Sequence, residues 1–333
     1  PVYQEPTNIR AKLLGLACNP NANVYSPPVI AGYVGTDTVG CIVSSRIDSM
    51  DKYSLLIDIG TNGEIVLGNK RGLVTGSCAA GSALEGAEIS CGMRAAEGAI
   101  EKVRINPSTF EPELGIIGDT TPIGVCGSGL IDLAAELLRT KLLTRSGKFN
   151  TKSPEVAECE RIIKRDDGYH YVLFDPKKDV LDSSTGNIEK EMLTISQEDI
   201  RQLQLAKGAF LSGCLILLEH EQKQPSDIEQ VLLAGAFGSY IDKENAEFIG
   251  LFPEVGVNNI FQVGNAAGLG AQMCLKNVDR RILANIAAHE AKYYGISTSS
   301  SFQVEFAKCL YFPHFKLDNF QNNAELYKDI PFR

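Results

Sequence analysis

Asp58-Ile59-Gly60-Thr61-Asn62-Gly63 sets one carboxylate beside a turn of small and polar residues. Such a turn offers what a polyphosphate needs: backbone N–H groups, a hydroxyl, an amide and no bulky side chain. A carboxylate next to it can hold Mg2+, through water. Asp58 interrupts an aliphatic run, Leu55-Leu56-Ile57-Asp58-Ile59. An unpaired charge is costly to bury, so Asp58 is expected near a strand end, facing a cation or donors. The same letters describe an ordinary strand and turn, and the motif alone leaves both readings open.

Other Gly-rich turns carry similar chemistry. Gly127-Ser128-Gly129 opens a helix to about residue 142. Its free N–H groups suit an anion, and an ordinary Ser/Gly cap explains them equally. Gly235-Ala236-Phe237-Gly238 follows the buried strand Ile228–Ala234. A Gly-rich turn after a strand, at a sheet's C-terminal edge, is where α/β proteins bind nucleotides. Gly264-Asn265-Ala266-Ala267-Gly268 repeats the pattern after Ile260–Val263. The small residues of Cys78–Gly86 admit a ligand or a tightly packed backbone. Gly208 lies mid-helix, where it costs about 1 kcal/mol against Ala; it makes room for a neighbouring element or for a base.

These residues need elements to position them. Leu55–Ile59 and Glu64–Leu67 read as a hairpin, with Asn62-Gly63 at the centre of a type I′ turn. Asn69–Gly72 is a second turn and Leu73–Ser77 a third strand, which completes a meander. Residues 1–28 are rich in turn residues, with a short helix expected within Asn8–Cys18 and a strand over Val29–Val34. Thr36 or Asp37 caps a helix over Thr38–Asp48. Ala99–Ile105 and the segment up to Ile117 read as short strands. Residues 144–192 are polar and read as an excursion from the core, with turns at 166–168 and 183–186 and a strand over Tyr169–Phe174. Ser196 with Asp199 at N3 is a capping-box variant that starts a long helix. Arg281–Tyr294 is a helix, Phe302–Leu310 a strand or helix, and the tail is irregular. The outline is βββαβαβ, an α/β class with a ribonuclease-H-like lobe.

The chain has 333 residues, 44% apolar and 22% charged, with a formal net charge of −9. That size buries a large core. The acidic balance argues against nucleic acid or an anionic membrane as the main partner. There is no apolar run of transmembrane length and no signal peptide at the start, so a cytoplasmic protein is expected. The nine cysteines form no CxxC pair and fit reduced, buried thiols better than disulfides or an iron–sulfur site. The four histidines are dispersed, and neither His-Glu pair has the second His of a zinc-protease helix.

Taken together, the segments resemble the superfamily of acetate and sugar kinases, heat-shock chaperones and actin. There, two such lobes clasp ATP–Mg2+. Asp58–Gly63 looks like one of its phosphate motifs and Leu232–Gly238 like its adenosine motif. The Cys78-Ala-Ala-Gly81 run resembles ATP-dependent activators of 2-hydroxyacyl-CoA dehydratases. Closer still, Asp58–Glu64, Gly127–Asp132, Gln204-Leu-Ala-Lys-Gly-Ala209, Leu233–Tyr240 and Val263–Ala266 in order look like the reductive activators of corrinoid proteins, over about residues 29–315. The resemblance implies the actin-like ATPase fold, with residues 144–192 as an inserted polar segment. It implies ATP and Mg2+ as cofactors, and an ATP-driven return of Co(II) corrinoid to Co(I) for methyl transfer in C1 metabolism, O-demethylation included. A corrinoid protein and an electron donor are the implied partners, and a homodimer is open. Gly60, Thr61, Asn62, Gly63, Gly127 and Ser128 would face phosphate. Gln204, Lys207, Gly208 and Gly235–Gly238, with Ala236 and Phe237, would surround the adenosine.

Two departures from the family pattern stand out. Cluster-binding Cys spacing is lacking, so the 2Fe–2S domain is expected to precede this stretch. An earlier Asp-Ile-Gly-Thr-Thr motif is also lacking, so Asp58–Gly63 reads as the second phosphate motif. Residues 1–50 would then be the tail of the first lobe plus the crossing helix, and residues 51–333 the second lobe. In sugar kinases a carboxylate near that helix is the catalytic base, which points to Asp37. The alternatives are a small-molecule kinase of the same fold and a nucleotide-gated binding module.

Overall fold

The computed structural model describes residues 3–118, 120–179, 191–238 and 240–333. In chain order the strands are β1 Thr7–Arg10, β2 Asn23–Ser26, β3 Ser54–Ile59, β4 Asn62–Asn69, β5 Gly72–Ala79, β6 Ala99–Ile105, β7 Pro112–Ile116, β8 Gly124–Val125, β9 Ile162–Arg165, β10 Gly168–Phe174, β11 Leu193–Ser196, β12 Gln230–Ala234, β13 Ile260–Gly264 and β14 Lys292–Tyr293. The helices are α1 Thr36–Ser45, α2 Gly127–Arg139, α3 Pro154–Ala157, α4 Gln197–His220, α5 Gly235–Gly238, α6 Lys243–Phe248, α7 Ala266–Lys276, α8 Val278–Glu290, α9 Phe302–Cys309 and α10 Ala324–Asp329.

By contacts the chain forms two units. One comprises Pro1–Cys78, Gly213–Ser239 and Val255–Phe302, and the other Ala79–Ser212, Tyr240–Glu254 and Gln303–Arg333. The first is built on a six-stranded sheet of order β13-β12-β3-β4-β5-β14. Antiparallel β3 and β4 are extended on the β3 side by parallel β12 and then β13. Along β3, alternate residues face opposite sides. Leu56 therefore shares a face with Asp58, and that face meets Val39, Ile42 and Val43 of α1 and Ala284 and Ala288 of α8 in one core cluster. Helices α1 and α7 approach closely, since a Cβ on Gly40 would come 2.8 Å from Ala267 O.

The second unit holds two three-stranded sheets, β7-β6-β8 and β11-β10-β9. Helix α2 is buried over almost its whole length and lies on β6, where Gly129 meets the Ile100 carbonyl too closely for a side chain. The capping box at the start of α4 forms as expected. Ser196 N donates to Asp199 Oδ2 at 2.7 Å, and Asp199 N donates to Ser196 Oγ at 3.0 Å.

Several expectations are corrected. Residues 7–10 and 23–26 pair as strands, with only a 3-10 turn at Ala11–Leu14, because Thr7–Arg10 finds a partner that local propensity does not reveal. Val29–Val34 is no strand; it closes a tight bridge between Ala31 and Val34. Of the two forms left open for Phe302–Leu310, Phe302–Cys309 takes the helix, which is no correction. The hairpin turn is not type I′. Ile59 faces Gly63, so Gly60, Thr61 and Asn62 make a three-residue loop, and Asn62 and Gly63 already belong to β4 without positive φ. The turn at 183–186 lies outside the described residues.

Candidate functional site

β3 and β12 run parallel and in register, with Asp58 beside Ala234. Asp58 is the penultimate residue of β3, and Gly235 follows β12 directly. Gly235 has φ +90°, a value that Gly adopts without strain. A Cβ there would lie 2.7 Å from Ile59 O and 2.9 Å from Asp58 Oδ1. The fold thus brings the Asp58–Gly63 turn and the Gly235–Gly238 turn, which is one turn of helix, to the same edge of one sheet. Thr61 and Asn62 are exposed at the loop, Gly60 is half-buried and Gly63 is buried.

The three-residue loop sets Asp58 opposite Glu64. Like charges directly across a ladder repel. Asp37, in the first turn of α1, takes the Thr38 N–H on its Oδ1 at 2.8 Å and adds its charge to the other two. Burial, then Asp37 and Asp58, push Glu64 up to about 8. Burial, with a further push from Asp37, also raises Asp58, against a hydrogen bond from Cys41 Sγ at 3.4 Å. Three carboxylates from α1, β3 and β4 therefore converge. Carboxylate oxygens are the donors Mg2+ takes, so Asp58 and its acidic neighbours suit that ion in chemistry, although the three side chains do not close into a ready-made ligand cluster.

Gly127, Ser128, Gln204, Lys207 and Gly208 lie in the other unit. Gly127 is the first residue of α2, and Ser128 is buried with its hydroxyl 3.2 Å from Cys126 Sγ. Gln204 Nε2 donates to Ser146 O at 3.1 Å and Leu310 O at 2.5 Å. Lys207 is wholly buried, and its ammonium donates to Tyr311 O at 2.6 Å and to Pro313 O. Burial pushes its pKa down to about 7. Lys207 and Gln204 thus hold the 310–313 backbone. Gly208 gives room to Leu310, whose Cδ2 would lie 3.1 Å from a Cβ, so close packing explains this glycine. Ala236 and Phe237 belong to α5.

Glu64 is the site residue that sequence reasoning missed. A two-residue turn at 62–63 would have set Asp58 opposite Leu67, whereas the three-residue loop sets it opposite Glu64. The available signal was the single carboxylate at the head of the return strand.

A family model described as the C-terminal domain of RACo, the ASKHA domain, matches residues 52–324, and one described as the RACo middle region matches residues 1–50. The corrinoid activation enzyme RamQ of Eubacterium limosum is 35% identical over 291 residues, covering 86% of this chain and 47% of that protein. A Co(II) methylated amine-specific corrinoid protein reductase of Methanosarcina barkeri is 25% identical over 267 residues, covering 74% and 43%. Among solved structures, a reductive activator for corrinoid, iron–sulfur protein matches with a TM-score of 0.86 at 34% identity, covering 97% of this chain and 49% of that one. The chain spans about half the length of the relatives it matches.

Proposed function

The chain belongs to the family of RACo C-terminal ASKHA domains, and on that footing we propose that it is the ATP-binding portion of a reductive activator that uses ATP to return a Co(II) corrinoid protein to Co(I). The observation that carries this reading is Asp58 beside Gly235 at the ends of neighbouring parallel strands, in a chain of this family. In the proposal residues 1–50 are the tail of a first lobe and residues 51–333 the second, which the border between the two family matches supports. A corrinoid protein of C1 metabolism, O-demethylation included, is the partner. The electron donor and its 2Fe–2S cluster lie outside these residues. Self-association as a homodimer belongs to the same proposal. No helix among the described residues is long and apolar enough to cross a membrane, and the proposed setting is the cytoplasm.

The residues act as follows. Asp58 and Glu64 would hold Mg2+, which neutralises phosphate charge when bound. The N–H groups and Thr61 hydroxyl of the 60–63 loop would orient the phosphates. Asp37 would position the attacking water. Gly235–Gly238 would border the adenosine. The relatives argue against the kinase alternative.

Asp58→Ala tests the site. ATP hydrolysis by the intact protein should fall by roughly 10²-fold or more, since the carboxylate acts where transferring charge is held. An unchanged rate, in a variant that remains folded, rejects the assignment.

A further inference from the structure

Glu305 and Cys309 are four residues apart on α9, and so project from one face of the helix. His314 returns to them from the loop that follows. Glu305 Oε1 lies 3.0 Å from His314 Nε2, and the ligand atoms of Glu305, Cys309 and His314 all lie within 4.8 Å of one another. Cys309 and His314 are buried, while the Glu305 side chain keeps 20% of its surface exposed.

The histidine is held in a particular way. Its Nδ1 is 2.9 Å from Lys316 O, close enough to anchor on that carbonyl, and its Nε2 turns toward Glu305. A histidine that binds metal through one nitrogen characteristically anchors the other on a carbonyl or carboxylate. At 3.0 Å, Nε2 and Glu305 Oε1 are joined by a proton, and a metal ion held by both groups would replace that proton. The alternative contact of Nδ1, accepting from Lys316 N, is longer at 3.2 Å. The other Glu305 oxygen, Oε2, accepts from Lys308 at 2.8 Å, which fixes the carboxylate.

We propose that Glu305, Cys309 and His314 form a binding site for a zinc-class divalent metal ion. Thiolate, imidazole and carboxylate are the donors zinc takes, and three of them leave a fourth position for water. Glu305, with 20% of its side-chain surface exposed, gives the ion its entry path. The charges of a thiolate and a carboxylate balance a dication. Donors of one zinc ion lie roughly 3.5 Å apart, so on binding the Glu305–His314 pair, now 3.0 Å apart, opens slightly, and the separations to Cys309, within 4.8 Å, shorten by at most about 1 Å. The ion ties α9 to the loop whose carbonyls hold Lys207 and Gln204 of α4.

The test uses the 333-residue chain, reduced, stripped with chelator and titrated anaerobically with Co2+ and then Zn2+. A thiolate-to-cobalt charge-transfer band should saturate at one equivalent and be bleached by Zn2+. Cys309→Ser should lose the band, and Cys18→Ser, which removes the exposed thiol, should keep it. His314→Gln and Glu305→Gln should weaken Zn2+ binding by roughly tenfold or more, read by competition with a chromophoric chelator. Circular dichroism establishes that each variant is folded, and the two conservative variants carry the test if Cys309→Ser does not fold. Absence of the band, its survival in Cys309→Ser, its loss in Cys18→Ser, or wild-type affinity in both conservative variants overturns the proposal and leaves a histidine–carboxylate ion pair.

Discussion

At Gly235 a single hydrogen is the largest side chain the backbone admits. Gly235→Ala would force a positive φ on an L-residue and drive a methyl group toward Ile59 O and Asp58 Oδ1. Strain and overpacking of this kind cost roughly 2–4 kcal/mol together. Urea unfolding should show that loss as a lower midpoint, and an unchanged midpoint would mean the turn relaxes freely. Asp132 makes a second case. Its carboxylate accepts from Asn245 Nδ2 at 2.6 Å, and burial pushes its pKa from 3.8 to about 6. The folded state therefore holds a proton that the unfolded state has released. Stability from this group is present below about pH 4 and is lost as pH rises to about 6. Asp132→Asn keeps the neutral shape and removes the titration. The wild type should lose melting temperature relative to that variant between pH 4 and pH 7, and parallel profiles would contradict the shift. Residue identity made Asp58 and Gly235 legible in the sequence, because an acid in an aliphatic run and a glycine after a buried strand are both locally odd. Glu64 was hidden by three positions of register, and Lys207 by the fact that a helix sequence does not name the carbonyls its lysine will meet.

Elements whose hydrogen bonds close locally were legible, and those closed by distant partners were not. The start of α4 was readable because Ser196 and Asp199 satisfy each other within one turn. Asp199 does more than the sequence suggests, since Ser90 N and Ser90 Oγ also donate to it, each at 2.7 Å. Asp199→Ala removes a cap worth about 1 kcal/mol and orphans buried donors at about 1–3 kcal/mol. A loss of roughly 2–4 kcal/mol in unfolding free energy is expected from denaturant titration, with Asp199→Asn intermediate. Equal stability of the Ala variant and the wild type would show that Ser90 and Ser196 find other acceptors. Strand β1 had no such local signature. It forms because Asn23–Ser26 lies opposite it, and a four-residue polar strand carries no period of its own.

For the molecule as a whole, ATP can act on a partner only by binding differently to its docked and undocked states. If the proposed function holds, nucleotide-bound and nucleotide-free forms of the intact protein should differ in affinity for a Co(II) corrinoid protein by roughly 5–150-fold, the usual span of allosteric coupling. Titration with and without a non-hydrolysable analogue measures it, and equal dissociation constants would remove the thermodynamic link. The ordering of the central sheet has another consequence, for how the protein is made. β3 and β4 pair as soon as they leave the ribosome, but the strand on the other side of β3 is β12, which is synthesised only after the whole of residues 79–212. Until then the β3 edge stands open, with its hydrogen-bonding groups unmatched and Leu55, Leu56 and Ile57 beside it. Open apolar edges recruit other chains, and pairing so far apart in sequence is slow. The nascent chain is therefore most vulnerable to self-association before residue 230 emerges. The very edge that will carry Asp58 is the one a holding chaperone would need to shield.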